Sequence, residues 1–239
     1  MQFDPPLIEA RLEARYKRFL ADVRLNDGSL ITVHCPNPGK MMGIETSGSR
    51  CWISDSGNPK RKLRHTLEVV ETPAPSGTVL VGCNTNLPNR LAVEAIEGGL
   101  IPSLTDYKTL RREVRYGQNS RIDILLEKAE QPPCFVEVKN VHLVRELGRF
   151  EFPDCKTERG AKHLREMANV VRDGARAVML YVIQREDGEA FSLAADLDPA
   201  YAEAFVLARK AGVEALAIRC QISPTAITPK SLVPVIDPR

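Results

Sequence analysis

The fold is decided by the stretch SRIDILLEKAEQPPCFVEVKN, residues 120–140. Its segments 121–127 and 134–139 are short and rich in isoleucine, leucine, valine and phenylalanine, which predicts two strands. The connection between them holds two prolines and several charged residues, so the chain is expected to turn there. Two strands that follow each other this closely can pair in one sheet.

The strand geometry of this stretch predicts the directions of three charged side chains. Successive side chains of a strand alternate between its faces, so Glu137 and Lys139 point the same way and Val138 points into the opposite layer. Asp123 lies on the preceding strand. If the two strands pair, two carboxylates and one ammonium group converge at one place.

The segments on either side predict an α/β domain. Residues 176–183 (RAVMLYVI) are apolar almost throughout, which is typical of a strand buried on both faces. Thr157 is the predicted N-cap of a helix over 158–172. The predicted elements after residue 82 are helix 87–97, strands 111–116, 121–127 and 134–139, helix 158–172, strand 176–183, helix 199–211 and strand 213–222. The tail after residue 222 contains four prolines and is predicted to be irregular.

Short strands and turns are predicted for the first 82 residues. The predicted strands are 16–25, 30–35, 50–54 and 66–71. Asn26-Asp27-Gly28 indicates a hairpin turn between the first two strands, and residues 73–77 indicate a linker or a wide turn. Several short strands in about 70 residues predict a small barrel or sandwich, and a five-stranded OB-like barrel fits.

Composition sets few limits on function. The 239 residues are 43% hydrophobic and 27% charged, with a net charge of +2, which neither requires nor excludes a nucleic-acid partner. Six widely spaced cysteines without a CxxC pair indicate reduced thiols rather than disulfides or a zinc finger. A charged N-terminus and the lack of a long apolar run predict a cytoplasmic protein without a membrane partner.

We interpret Asp123, Glu137 and Lys139 as the catalytic group of a PD-(D/E)xK-type metal-dependent nuclease. Two carboxylates can hold Mg²⁺ or Mn²⁺, hard ions that prefer oxygen ligands. Such an ion neutralises phosphate charge and lowers the pKa of a bound water, while a lysine orients or deprotonates that water. The alternative is a solvated face or a simple ion pair. Charges inside apolar strands are costly, which together with the order of the elements favours the nuclease, by analogy of fold.

The metal is predicted to bind at four positions. The predicted ligands are Asp123, Glu137, the carbonyl of Val138 and Glu94. Glu94 lies on the helix before the first strand of the domain, where such nucleases often place another acid. A solvent-facing side chain is the equally weighted alternative for Glu94, and Glu113 is the alternative ligand.

Nucleic acid is predicted to bind basic side chains of both domains. The run 60–65 has five basic positions and no acid, which favours phosphate contacts over a solvated loop. Trp52 offers an aromatic face, although burial in the core is the favoured alternative for it alone. For Lys162 the alternative is a solvated helix face. The predicted nucleic-acid-binding residues are Lys60, Arg61, Lys62, Arg64, Arg18, Trp52, Arg111, Arg112 and Lys162.

The chain resembles the sugar fermentation stimulation protein A family over residues 8–222. The segments that carry the resemblance include RYKRFLADV (15–23), VHCPNPGKM (33–41), NPKRKLRHTLEVVE (58–71), SRIDILL (120–126), FVEVKNVHLV (135–144) and FPDCKTERGAKHLREM (152–167). The family pattern predicts Thr and Ser where Pro38 and Lys40 occur, and Gln where Ala161 occurs.

The resemblance implies a mixed α/β protein of two domains. It implies an OB-like nucleic-acid-binding domain at 1–82 and a PD-(D/E)xK nuclease-like domain with a central mixed sheet at 83–239. Asp123, Glu137 and Lys139 match the family's expected site.

Two functions stay open on this basis. The first is hydrolysis of DNA, or alternatively RNA, by a metal-dependent nuclease. The second is regulation of sugar-metabolism genes by a DNA-binding protein that cleaves nothing. Three charged groups in apolar strands favour the enzyme, because a pure binder has no need of them. A small-molecule binder is least favoured, since neither GxGxxG nor a phosphate-binding loop occurs. A homodimer is open.

Overall fold

The computed structural model describes residues 1–75, 77–116 and 120–238. The first part of the chain forms a six-stranded sheet in the order β3-β2-β1-β4-β5-β6. Its strands are β1 (Ile8–Tyr16), β2 (Leu20–Leu25), β3 (Leu30–His34), β4 (Arg50–Asp55), β5 (His65–Ala74) and β6 (Gly77–Gly82). His34 of β3 also pairs with Thr66 of β5, and this contact closes the sheet into a barrel. The predicted OB-like barrel is confirmed, with one strand more than the five expected.

Apolar side chains at alternating strand positions fill the barrel. Leu12, Val23, Val33, Ile53 and Leu67 are fully buried there. The sequence does not predict β1, because IEARLEARY fits a helical period as well as an alternating one. Pairing with β2 on one side and β4 on the other makes this segment a strand.

Pro73 and Ala74 belong to β5 and Gly77 belongs to β6, so these residues do not form a linker. Pro73 pairs with Thr78 and Ala74 pairs with Gly77, so the two strands continue up to the turn. Ser76 lies outside the described residues. Neither a linker nor a wide turn fits the described residues of this segment, because strand pairing continues through Ala74 and Gly77.

The second part of the chain is a mixed α/β domain. Its main sheet has the order β14-β13-β11-β9-β8-β7, in which β9, β11 and β13 are parallel and β7, β8 and β14 are antiparallel to their neighbours. A second sheet of three parallel strands has the order β10-β12-β15. The elements are α1 (Pro88–Glu97), a 3₁₀ turn (Pro102–Leu104), β7 (Thr109–Tyr116), β8 (Ser120–Glu127), β9 (Cys134–Val141), β10 (Gly148–Phe152), α2 (Glu158–Arg172), β11 (Arg176–Ile183), β12 (Gly188–Leu193), α3 (Pro199–Lys210), β13 (Glu214–Ile222), β14 (Ile227–Val233) and β15 (Val235–Ile236). The predicted central mixed sheet is confirmed.

Helices cover both faces of the main sheet. One core packs α1 against the sheet, and the other packs α2 and α3 against the opposite face. Side chains of β11 alternate between these cores, with Leu180 in the first and Met179 and Tyr181 in the second. Burial on both faces explains the continuous apolar run of this strand.

The C-terminal tail is not irregular, and that prediction is wrong. β14 pairs with β13 along its length, and β15 pairs with β12. β14 is an edge strand of the main sheet. Proline is tolerated in such a strand, because its missing N–H does not have to serve a second neighbouring strand. The sequence also misses β10 and β12.

The first residues of the chain contact the second part. The N–H of Phe3 donates to the carbonyl of Thr225, and the N–H of Leu7 donates to the carbonyl of Pro224. Farther along, the N–H of Gly82 donates to the carbonyl of Gln184. The boundary between residues 82 and 83 stays a prediction, although these contacts place the N-terminal segment against the second part.

Asp154 joins the second part to the loop after β3. Its Oδ2 accepts a 2.8 Å hydrogen bond from the N–H of Met41 and lies 3.3 Å from Nε2 of His142. Gly39 lies so close to this carboxylate that a Cβ there would stand 2.5 Å from Oδ2. Burial by itself would raise the pKa of Asp154, but His142 and the Met41 N–H outweigh burial and lower it to about 2.

Substitution of Asp154 by asparagine is expected to lower the free energy of unfolding by about 2 kcal/mol at neutral pH. The folded pKa of about 2 lies below the reference value of 3.8, so the carboxylate stabilises the fold above the unfolded pKa. This contribution is lost as the pH falls from about 4 to about 2. Urea unfolding of both proteins over this range and at neutral pH measures the difference. A deficit that is the same at every pH would contradict the role of the charge.

No helix among the described residues is both long and apolar enough to cross a membrane. All six cysteines are free, and five of them are buried.

Candidate active site

Asp123 lies where the pairing of β8 and β9 stops. The last paired positions are Ile124 and Val136, so the next residues of the two strands are free to separate. Oδ2 of Asp123 accepts a 2.7 Å hydrogen bond from the N–H of Val138 in the position of the next ladder bond. The carboxylate is therefore held in the gap between the two strands.

Glu137 and Lys139 share a face of β9, as the sequence predicts. Nζ of Lys139 donates a 2.6 Å hydrogen bond to Oε1 of Glu137, and Nδ1 of His163 contacts the same oxygen. Glu137 is only 2% exposed, and its Oε2 is buried without a hydrogen-bond partner among the described residues. One carboxylate oxygen is thus neutralised and the other is available to a ligand.

The two carboxylates have opposite pKa shifts. Burial raises the pKa of Asp123, and the negative charge of Glu137 raises it further, against the hydrogen bonds from Val138 and Asn89. Burial would also raise the pKa of Glu137, but Lys139 and His163 outweigh it and hold this pKa below its usual range. Lys139 lowers the pKa of Asp123 only weakly, and no described cation lies within 4.0 Å of Asp123, whereas Glu137 has two such partners. A bound cation would supply the missing close charge.

His163 reaches Glu137 because α2 is capped at its start and packs one face against the sheet. The hydroxyl of Thr157 accepts a 3.1 Å hydrogen bond from the N–H of Gly160 and caps the helix, as predicted. Leu164, one residue after His163, is fully buried against the sheet. Nε2 of His163 accepts a 3.3 Å hydrogen bond from Arg159, which leaves the proton on Nδ1 to be donated to Glu137.

Asn89, and not Glu94, is the α1 residue at the site. Nδ2 of Asn89 donates a 2.9 Å hydrogen bond to Oδ1 of Asp123 and lies 3.5 Å from Oε1 of Glu113. The sequence misses Asn89, because an amide in the first turn of a helix gives no signal of its own.

The prediction that Glu94 binds the metal is corrected by its contacts. Its Oε2 lies 2.5 Å from the amino group of Met1, and its Oε1 lies 3.4 Å from Nε of Arg90. Five residues separate Glu94 from Asn89, which turns their side chains about 140° apart around the helix. Glu94 therefore points away from Asp123.

The backbone of Val138 also faces the gap. A strand residue directs its N–H and its C=O to the same side, and the N–H of Val138 points at Asp123. Its carbonyl is expected to point there too, and its role as a metal ligand stays a prediction.

A metal ion fits this donor set only with help from the backbone or water. Among the described residues, no three His, Cys, Asp or Glu side chains converge as a ready metal site. Glu137 nevertheless supplies a buried carboxylate and Asp123 a half-buried one, and the unpartnered Oε2 of Glu137 is an oxygen that a cation would satisfy. Oxygen donors of this kind suit Mg²⁺ and Mn²⁺, which keep several water ligands.

Trp52 does not face solvent, and its predicted contact with nucleic acid is corrected. It is 4% exposed and packs in the core that includes Val69 and Leu91. The guanidinium of Arg50 lies 5.5 Å from the centre of its ring. A base cannot stack on a ring that the protein already covers.

The predicted basic contacts fall into two groups. Arg64, Arg111 and Lys162 lie 2.5, 3.1 and 3.6 Å from Asp55, Glu127 and Glu166, so carboxylates partly neutralise them. The others are exposed, and the structure shows no carboxylate within 4.0 Å of them in the part of the chain it describes. This second group consists of Lys60, Arg61, Lys62, Arg18 and Arg112. Contact with nucleic acid stays a prediction for both groups.

Comparisons with known proteins cover nearly the whole chain. Residues 14–82 match the family model "SfsA N-terminal OB domain", and residues 86–226 match "Sugar fermentation stimulation protein RE domain". A sugar fermentation stimulation protein homolog of Brucella ovis is 54% identical over 239 residues, which is 100% of this chain and 99% of the relative. The homolog of Brucella anthropi is 54% identical over 235 residues, 98% of this chain and all of the relative.

A solved structure is similar over the same length. The structure of Pyrococcus furiosus SfsA in complex with Ca²⁺ superposes with a TM-score of 0.86 at 28% sequence identity. The match covers 99% of this chain and 98% of that one. The arrangement of the barrel and the second part is therefore similar in the two proteins.

Proposed function

This chain belongs to the sugar fermentation stimulation protein family, and we propose that it hydrolyses phosphodiester bonds of nucleic acid, in the first place DNA, with the help of a divalent metal ion. One observation carries the proposal. Where β8 and β9 stop pairing, Asp123 supplies a half-buried carboxylate and Glu137 a buried one. Nζ of Lys139 lies 2.6 Å from Oε1 of Glu137, and Oε2 of Glu137 has no partner among the described residues. A group of this kind is costly to bury unless it binds something.

Mg²⁺ or Mn²⁺ would be held by Asp123 and Glu137, with the carbonyl of Val138 as a further ligand. The Pyrococcus furiosus relative supports a divalent ion, because its structure is a complex with Ca²⁺. Ca²⁺ is also a hard ion that prefers oxygen ligands. When bound, such an ion neutralises charge on the phosphate and lowers the pKa of a coordinated water.

The side chains of the site have separate tasks in this reaction. Lys139 lies beside Glu137 and would orient the attacking water or donate a hydrogen bond to a phosphate oxygen. Asn89 and the N–H of Val138 hold both oxygens of Asp123, and His163 holds Oε1 of Glu137. Positioning of this kind keeps the carboxylates in place while a substrate binds.

The wild-type protein is expected to cut end-labelled nucleic acid in Mn²⁺ or Mg²⁺ and to leave it intact in EDTA. Single- and double-stranded DNA and RNA are tested side by side, which also identifies the substrate. Glu94→Gln is a control, because Glu94 is a predicted metal ligand that lies apart from the group of Asp123, Glu137 and Lys139. Because Glu94 faces Met1 and Arg90, this variant is expected to cut at the wild-type rate.

The alternative function is a DNA-binding regulator that uses the same charges only as a buried ion pair. If no substrate is cut with either metal while DNA binding remains, this alternative replaces the nuclease. If cleavage continues in EDTA, the metal has no part in it.

A further inference from the structure

A cleft of about 910 Å³ lies between the barrel and the second part of the chain. The barrel contributes the turn after β1 and the loop after β3, and the second part contributes the end of β9 and the segment before α2. Asn140, which lines the cleft, directly follows Lys139 in β9. The cleft therefore lies at the end of β9, one residue beyond Lys139 in the chain, and the three charged residues of the candidate active site do not line it.

Three exposed cations from separate segments line this cleft, namely Arg18, Lys40 and Lys156. In the described ranges, none of the three has a carboxylate within 4.0 Å. Surface cations that pair with carboxylates, such as Arg64 and Lys162, have part of their charge neutralised already. The three cleft cations keep their full charge for an anionic ligand.

Both acidic side chains in the cleft are already engaged. Asp154 lies 3.3 Å from His142 and accepts the N–H of Met41, and Glu45 lies 3.3 Å from Arg15. The charge that the cleft presents to solvent is therefore positive, because its two carboxylates are already paired with groups of the protein.

The loop that carries Lys40 is fixed in place. The guanidinium of Arg15 donates hydrogen bonds of 2.8 and 2.7 Å to the carbonyls of Asn37 and Gly39. Asp154 holds Met41 from the other side of the cleft. Lys40 lies between these anchor points, so its backbone is held in place before any ligand binds, and less backbone entropy is lost on binding.

An aromatic ring is exposed next to Arg18. The turn between β1 and β2 consists of Lys17, Arg18 and Phe19, and the first two have positive φ angles of 50° and 63°. Such angles are uncommon outside glycine. Phe19 is 46% exposed, although burial of a phenylalanine ring is energetically favourable. Phe19 does not itself line the cleft, but it directly follows the lining residue Arg18 and is more exposed than Tyr16 or the buried Trp52.

We propose that the cleft binds single-stranded nucleic acid, with Phe19 stacking on a base and Arg18, Lys40 and Lys156 contacting phosphates. Aromatic stacking together with backbone contacts is how many barrels of this type hold a single strand. The bases of a duplex are covered by their neighbours, so a duplex cannot use Phe19 in this way. The cleft volume also lies in the range of roughly 300–1,000 Å³ that suits ligands of nucleotide size.

This inference rests on the proposed function, because the strand in the cleft is taken to be the substrate delivered to Lys139. Binding is measured in EDTA, where cleavage is not expected, so the two proposals are tested separately. The probe is a fluorescently labelled single strand of about 15 thymidines, compared with a duplex of equal length, and binding is followed by fluorescence anisotropy over a range of salt concentrations.

Phe19→Ala is expected to bind the single strand about 5- to 20-fold more weakly, because it loses one stacking contact. Lys40→Gln combined with Lys156→Gln is expected to reduce the slope of log K against log salt by about 1.4, since two phosphate contacts are lost. Melting temperatures near that of the wild type are expected, because all three side chains are exposed.

The matched control is Lys108→Gln combined with Lys210→Gln, which removes the same charge at exposed positions outside the cleft. Lys210 ends α3, about 18 Å along the helix from the end near the cleft. Equal weakening by control and cleft variants, tighter binding of the duplex, or no binding of the single strand by the wild type would each overturn the proposal. Single-strand binding that depends on the cleft, in a protein that cuts nothing, would retain it and reject the nuclease.

Discussion

Substitution of Asp123 by asparagine is expected to reduce the rate of nucleic-acid cleavage by at least about 10³-fold. The metal would lose one of its two carboxylate ligands, and the charge stabilisation that it supplies is worth several kcal/mol. The asparagine keeps the shape and can still accept the hydrogen bond from Val138. Titration with Mn²⁺ in a calorimeter is expected to show that metal binding is weakened together with cleavage.

The stability of this variant separates loss of function from loss of fold. The pKa of Asp123 is raised by burial and by Glu137, so the folded protein disfavours the ionised form. A raised carboxyl pKa costs stability at neutral pH and ceases to cost it as the pH falls through the folded pKa. In EDTA at neutral pH, Asp123→Asn is therefore expected to melt at or above the wild-type temperature. Full cleavage by this variant would remove Asp123 from the site.

Substitution of Lys139 by methionine is expected to reduce cleavage by about 10²- to 10⁴-fold, the range typical of a lost acid–base group. Methionine has nearly the length of the lysine stem but no charge, so it removes the group that would orient or activate the water. Metal binding is expected to remain, because both carboxylates stay in place. Single-turnover cleavage at saturating Mn²⁺ measures the effect on the chemical step alone.

Lys139→Arg tests whether a positive charge is sufficient. Arginine keeps the charge but is larger, planar and never deprotonated, so it is expected to rescue little of the activity if Lys139 transfers a proton. Recovery to near the wild-type rate would show that charge stabilisation is the only role of this position. Loss of metal binding in Lys139→Met would contradict the division of tasks between Lys139 and the two carboxylates.

Results on these variants also decide between enzyme and regulator. A regulator would bind DNA equally well with Asp123→Asn and Lys139→Met, and neither variant would lose a reaction. An enzyme would keep binding and lose cutting in both. The contrast depends on the chemistry at the site and not on the stability of the fold.

Local patterns in the sequence determined much of the fold. The apolar runs of β8, β9 and β11 and the cap at Thr157 predict their elements to within a few residues. The shared face of Glu137 and Lys139 follows from the alternation of a strand, a property of neighbouring residues that needs no distant partner.

Other features depend on partners that are far apart in the sequence. From the sequence, Glu94 is a predicted metal ligand and Trp52 a predicted contact for a base. In the structure, Glu94 instead contacts the amino group of Met1, and Trp52 is buried in the core. β1 forms by pairing with β2 although its sequence has helix-like spacing, and β14 forms by pairing with β13 although it contains a proline.

The sequence by itself determined the mixed α/β class, most elements from α1 to β13, and the three charged residues that two neighbouring strands carry. Only the tertiary structure decided that Asn89 and His163 hold the carboxylates, that one oxygen of Glu137 has no partner among the described residues, and that a positive cleft lies at the end of β9. The physical reason is that periodicity is encoded by residues next to each other in the chain. The surroundings of a buried charge are instead set by which helix face or loop packs over it, and that depends on the burial of the whole core.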